Sequence, residues 1–211
     1  MRFLHPRAFT VTLTIVAAAL WLAGLATALV HGETLPLDPG DSSLTFIGDS
    51  LLHRFHGEAK EFSGSAELER NAAPPIQKAT LRFKTATLTT FQSDRDRKMR
   101  DWLKVSLHPE ATFHLESVTL TGGDYKAASP TQPARFQVSG AITLNGVKQP
   151  LSEHVLGWRD KDHVVVSGET TIDTLKFGLP QIREAAVLTV GTNVKVAFRF
   201  SFVLPAELAG K

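Results

Sequence analysis
Apolar and polar residues alternate along most of this chain, and a period of two marks a strand with one buried face. The clearest case is "TNVKVAFRFSFVL", where Val194, Val196, Phe198, Phe200 and Phe202 share one face and Lys195, Arg199 and Ser201 fall on the other. "ATLRFKT" sets Ala79, Leu81 and Phe83 against Thr80, Arg82 and Lys84, and "ATFHLES" sets Phe113 and Leu115 against His114 and Glu116. The phase slips at Ser117, after which Val118 and Leu120 carry the apolar face, so a bulge is expected there. "ARFQVSGAITLNGVKQPL" puts Phe136, Val138, Ile142 and Leu144 on one side and then reaches Asn145-Gly146, a strong hairpin signal. "RDKD" at 159–162 predicts a second hairpin, and loops are expected at 71–75, 122–123 and 128–133. Short strands at regular spacing predict an all-β sandwich or barrel. A long alternating strand such as 193–203 is a hazard on an open edge, which favours an antiparallel barrel of about eight strands.

One stretch breaks the period. In "SDRDRKMRDWLKVSLHPEATF", Met99, Trp102, Leu103, Ser106 and Leu107 recur at helical spacing, all apolar but Ser106. Ser93 suits the N-cap, Asp94 and Asp96 suit the first turn, and Pro109 is the expected stop. Asp96 with Arg100 and Arg97 with Asp101 stand four apart, so the charges read as a solvated face rather than an anion site. One short amphipathic helix is therefore expected to lay Met99, Trp102 and Leu103 on a barrel mouth. It either closes the core or touches a ligand inside it.

The amino terminus stands apart. Arg2 and Arg7 are the only charges in residues 1–30, and Ala26-Thr27-Ala28 fits a small-x-small cleavage site. Residues 1–28 therefore read as a secretory signal segment, with cleavage after Gly32 and an uncleaved anchor as alternatives. The whole chain carries 23 Lys plus Arg against 21 Asp plus Glu. Loss of Arg2 and Arg7 would bring the formal net charge to zero, so no basic face asks for a nucleic-acid partner. The chain has no Cys, which excludes disulfides, thiol chemistry and an acylated-Cys anchor.

No residue pattern points to catalysis. The chain has no Gly-x-Ser-x-Gly elbow and no phosphate-cradling glycine loop. His53 and His56 lie three apart, on opposite faces of a strand, and the other histidines lack ligand spacing, so no metal site is expected. Asp96 and Asp101 have basic neighbours, which suits structural carboxylates. What remains is concavity, since a barrel of about eight strands is either filled by side chains or holds one ligand. The chain has 13 Phe and its alternating faces are largely apolar, so a guest would be long and apolar. Face parity nominates Leu81, Phe83, Phe113, Leu115, Phe136, Val138, Ile142, Leu144, Val196, Phe198 and Phe200 as cavity residues, with Met99, Trp102 and Leu103 at one end. A packed barrel serving as an interaction module is the alternative, and a lipid-modifying enzyme has no constellation behind it.

Several ordered blocks then carry a resemblance. "SSLTFIGDSLLHRFHGEAKEFSGSAEL" contains Gly57, Phe62 and Gly64 in a G-x-F-x-x-F-S-G pattern, with Ala59 in place of its first Phe. "RDRKMRDWLKVSLHPEATF" resembles an Arg-Asp helix block ending at Pro109 and Phe113, shorter than the common pattern and with Trp102 in place of a Phe-rich run. "FQVSGAITLNGVKQPL" carries Gly140, Leu144, Gly146, Val147 and Pro150, "TLKFGLP" carries Phe177 and Gly178, and "TNVKVAFRF" closes the series. Over residues 37–204 the chain resembles the YceI-like family of exported polyisoprenoid-binding, lipocalin-like proteins. That resemblance implies a barrel domain over about residues 35–205 with a helix at one end. It also implies a periplasmic or secreted location and a long isoprenoid, quinone tail or related lipid as ligand. No cofactor is implied, a membrane is met only through residues 1–28 if they are uncleaved, and a homodimer is left open.

Overall fold
The computed structural model describes residues 32–50, 53–184 and 188–209 of the 211, so the expected signal segment lies outside the described residues. The chain begins with β1 (Glu33–Pro36), β2 (Ser43–Asp49), β3 (Arg54–Ala59), β4 (Phe62–Leu68), β5 (Ile76–Lys84) and β6 (Leu88–Thr89). Helix α1 (Ser93–Trp102) interrupts, followed by the long strands β7 (Glu110–Gly122), β8 (Ala134–Leu144), β9 (Val147–Asp160) and β10 (His163–Asp173). The short pair β11 (Arg183–Glu184) and β12 (Leu188–Thr189) precedes β13 (Asn193–Val203) and a second, four-residue helix α2 (Ala206–Ala209).

Eleven of these strands form one sheet in the order β1-β4-β5-β7-β8-β9-β10-β13-β2-β3-β6, and each pairing is antiparallel. The sheet curls on itself. Just past β1, the Leu37 amide donates to the Gly64 carbonyl in β4, and Leu37 also bridges Phe202 in β13. The count is eleven rather than about eight because the early chain is broken. A 3₁₀ turn at Pro39–Asp41 separates β1 from β2, residues 60–61 separate β3 from β4, and a 3₁₀ turn at Thr85–Thr87 separates β5 from β6. Pro39 has no amide to give a ladder, and the Asp38 carboxylate accepts from the Gly40 amide at 2.8 Å, so this stretch turns instead of pairing. Each break lets the chain change partners: β4 pairs with β1 and β5, whereas β3 pairs with β2 and β6.

The turns follow their residues. Asn145 and Gly146 both take positive φ, 51° and 74°, the conformation that a two-residue hairpin needs. The β7–β8 register shifts between Leu115 and Ser117, where the slip in alternation predicts a bulge. Opposite it lies Gly140, where an added Cβ would stand 2.2 Å from the His114 carbonyl oxygen. Only glycine allows the two backbones to approach so closely.

Two apolar clusters gather toward opposite ends of the long strands. One joins Leu35, Leu37, Leu68, Leu81, Phe83, Phe200 and Phe202, with Phe62 and Phe198 against it. Within it the Phe198 and Phe200 rings stack at 5.2 Å, and Phe83 lies 6.0 Å from Phe200. The other joins Leu103, Ile172, Phe177 and Leu179 with Met99, Trp102, Ile142, Leu144, Val147 and Val196.

Helix α1 differs from its sequence reading in three respects. Its N-cap is Gln92, with no side-chain cap, and Ser93 is the first helical residue. It ends at Trp102, well before Pro109, because Lys104 turns into the left-handed region at φ 53°. Leu107 therefore leaves the apolar face and is 71% exposed, and Ser106 is exposed with it. Nor is Asp96 part of a solvated face. It is buried and receives Thr89 Oγ1 and the Thr90 amide at 2.7 Å each, and Thr90 Oγ1 as well. Arg97 pairs with Asp94 at 2.9 Å, one turn back.

Candidate ligand cavity
Between the two clusters the inner faces of the strands surround a cavity of about 1220 Å³. Parity explains who lines it. Val194, Val196, Phe198, Phe200 and Phe202 of β13 point in, while Lys195, Ala197, Arg199 and Ser201 are absent from the lining. All fourteen residues nominated from the sequence are brought together here: Leu81, Phe83, Met99, Trp102, Leu103, Phe113, Leu115, Phe136, Val138, Ile142, Leu144, Val196, Phe198 and Phe200. Most of the strand residues among them are only half-buried, because the space they face is not filled by side chains from across the barrel.

Sequence reading missed other lining residues. Leu44, Phe46 and Phe55 come from β2 and β3, whose short runs around Gly48 and Gly57 give weak alternation. Val164 and Val166 were hidden in the run Val164-Val165-Val166, where every position is apolar and parity carries no signal. Val118 lies beyond the bulge, with the shifted parity that the bulge requires, and lines the wall as well.

One end of the cavity is built by α1 and by residues 179–183 and 190–192. Trp102 Nε1 donates to the Pro180 carbonyl at 2.7 Å, tying the last residue of the helix to that segment. Ser50 bridges Val190, and the Gly191 amide donates to the Asp49 carbonyl at 2.7 Å, tying the segment to β2. The helix is anchored through Thr90. Arg95 Nε donates to Thr90 Oγ1 at 2.7 Å and Arg95 Nη2 to the Thr90 carbonyl at 2.8 Å, with the guanidinium 5.1 Å from the Phe55 ring centroid. Thr90 in turn donates to Asp96. Burial works to raise the Asp96 carboxyl, but the hydrogen bonds from Thr90 and Thr89, with a smaller part from the Arg100 charge, hold it below the usual Asp value. His53, Arg95, Lys98 and Arg183 reach this end, and Tyr125, Lys126, Arg159, Leu204 and Leu208 reach the other. Arg159 Nη2 donates to the Leu208 carbonyl there, fastening α2.

His53, just before β3, lines the cavity, and His56 within β3 does not. Among the described residues no group of three or more His, Asp or Glu is placed to hold a metal ion. The lining supplies an apolar wall with few polar groups, an arrangement that solvates hydrocarbon.

A family model described as "YceI-like domain" matches residues 36–202. A curated relative from Azotobacter vinelandii, a UPF0312 protein, is 33% identical over 110 residues, covering 51% of this chain and 50% of the relative. Protein YceI of Escherichia coli is 29% identical over 108 residues, covering 50% of this chain and 49% of that protein. The chain thus spans about half the length of these relatives. Among solved structures, Burkholderia cenocepacia BcnA superposes with a TM-score of 0.65 at 16% identity, covering 78% of this chain and 98% of BcnA. A polyisoprenoid binding domain from Saccharophagus degradans also gives 0.65, at 18% identity, covering 81% and 98%. At such identities these two similarities speak to the fold.

Proposed function
This chain belongs to the YceI-like domain family, and on that premise we propose that it is a binding protein, not an enzyme, which holds a long apolar chain inside its curled sheet. A polyisoprenoid, a quinone tail or a related amphiphilic lipid fits this reading. One observation carries it: the apolar cavity of about 1220 Å³ exceeds the usual range for a drug-sized ligand and reaches residues at both ends of the long strands. The Saccharophagus degradans neighbour, described as a polyisoprenoid binding domain, supports the same ligand class. We further propose that residues 1–28 direct export and that the carrier works in the periplasm or outside the cell, on the strength of the charge and cleavage pattern given above.

The test is direct. The protein is purified from its host without detergent and extracted with organic solvent, and the extract is weighed against protein by mass spectrometry. A stoichiometric long-chain lipid is expected. No lipid in the extract, together with no uptake of long-chain alkyl probes by the delipidated protein, would sink the carrier reading. Mass spectrometry of the mature amino terminus tests export, with cleavage after residue 28 or 32 as the expected result.

A further inference from the structure
The cavity wall carries one acid where alternation calls for an apolar residue. Along β9 the inward positions are Leu151, Glu153, Val155, Gly157 and Arg159, and all five line the cavity. Glu153 stands opposite Val138 of β8, and Thr170 of β10 donates its hydroxyl to Glu153 Oε1 at 2.6 Å. Among the described residues this is the only hydrogen bond that the Glu153 side chain makes, and no salt bridge reaches it. An ionised carboxylate has about four acceptor sites, so most of its capacity is left for a group entering the cavity it lines. Glu153 lies six residues from the start of β9, about 20 Å along the strand, well inside the barrel and remote from the basic residues at either end.

We propose that Glu153, set by Thr170, is a recognition residue for a hydrogen-bond-donating group on the bound amphiphile, a hydroxyl or an ammonium. The inference rests on the carrier reading and adds the polarity of the cargo. A bare hydrocarbon passing Glu153 would strip water from a carboxylate and give nothing back. An anionic head brought alongside would add like-charge repulsion. A hydroxyl or ammonium replaces the lost water with a charge-assisted hydrogen bond, the strong kind in a site of low polarity. The carboxylate therefore selects by what it would leave unpaired with the wrong guest.

The experiment displaces a polarity-sensitive fluorescent probe from delipidated protein with hexadecanol, hexadecylamine, hexadecanoate or hexadecane. It uses the wild type, Glu153→Gln, Glu153→Leu and, as a control, Glu169→Gln, an outward-facing acid on β10. Wild type and the control are expected to bind the alcohol and the amine at least about tenfold tighter than the carboxylate or the alkane. Glu153→Leu should lose that preference and gain affinity for the alkane. Glu153→Gln should keep the alcohol, through its amide oxygen, and lose the amine. The alcohol and amine arms thus separate a neutral donor from a cationic one. An unchanged rank order in Glu153→Leu overturns the inference while leaving the carrier reading intact. Failure of every probe on every protein overturns the carrier reading itself. Circular dichroism and thermal unfolding are expected to show Glu153→Leu folded, since it removes a half-buried charge.

Discussion

Replacement of Asp96 tests how the closing helix is held. In the wild type its carboxylate receives Thr89 Oγ1 and the Thr90 amide at 2.7 Å each, and Thr90 Oγ1 besides. Hydrogen bonds to a charged group contribute about 1.5–3 kcal/mol each, and a buried donor left without a partner costs about 1–3 kcal/mol. The three bonds share one acceptor group and do not add, so Asp96→Ala is expected to lose about 3 kcal/mol. In a folded unit of this size, each kcal/mol moves Tm by roughly 2–4 °C, so Tm should fall by about 6–12 °C. Asp96→Asn keeps one acceptor oxygen and should lose about half as much.

The sign of the pH dependence follows from the depressed folded-state carboxyl. In the unfolded chain Asp titrates near about 3.9. The stabilisation is therefore complete above that value and fades as pH falls through the lower folded one. Urea unfolding of wild type and Asp96→Ala should show the full difference at neutral pH and a gap that narrows in acid below about pH 4. A variant within about 1 kcal/mol of wild type at neutral pH, or a gap that does not change into acid, would refute this account of the helix anchor.

Three further outcomes are expected. Trp102→Ala removes the ring from the cavity end and the bond to Pro180, and stopped-flow transfer of a bound alkyl probe to vesicles should be about tenfold faster, while Trp102→Phe restores most of the retention. Gly140→Ala forces a Cβ onto the His114 carbonyl and should destabilise by about 2–3 kcal/mol in urea, with a loss under about 0.5 kcal/mol showing that the β7–β8 bulge can shift. Asn145→Ala loses both the side chain suited to φ 51° and the 2.9 Å bond to the Phe177 carbonyl, and should cost about 2 kcal/mol by thermal unfolding, whereas Asn145→Gly should restore the turn but not the bond.

Where alternation was strong, the sequence was legible. In β13 every second residue is apolar, and one parity choice placed Val196, Phe198 and Phe200 on the lining at once. The Asn145-Gly146 hairpin and the slip at Ser117 were likewise local, since each depends on a dipeptide or a phase change. The strand count was not legible, because a local turn such as Pro39–Asp41 does not say whether the strands beside it keep their partners, and the break at Thr85–Thr87 carries no Pro or Gly at all. Asp96 was misread for a related reason. Its spacing to Arg100 is a local fact, but its burial depends on where Thr89 and Thr90 place their hydroxyls at the end of β6. Glu153 was passed over because a single acid within an apolar face looks like noise in a periodic pattern, although its parity is identical to that of Leu151 and Val155.

The misread bounds of α1 and the misread Asp96 both lie at the α1 end, and that has a dynamic consequence. The long strands are held by backbone ladders; β8, for example, pairs along its whole length with β9 and along most of it with β7. Period and stability there have the same source. At the α1 end the chain is held by a handful of side-chain bonds: Asp96 to Thr89 and Thr90, Arg95 to Thr90, and Trp102 to Pro180. Such bonds leave no period in the sequence, and each can be released without unzipping a sheet. Segments held this way sit at the low end of the local stability range. Hydrogen exchange should therefore find amides of residues 93–107 and 179–184 opening well before those of β8 and β9. Bound lipid should slow the first group selectively, because a chain against Met99 and Trp102 ties down the elements that carry them. Equal protection at the two sites in the delipidated protein, or slowing spread evenly over the barrel on loading, would mean that the helix end is not where the cavity opens.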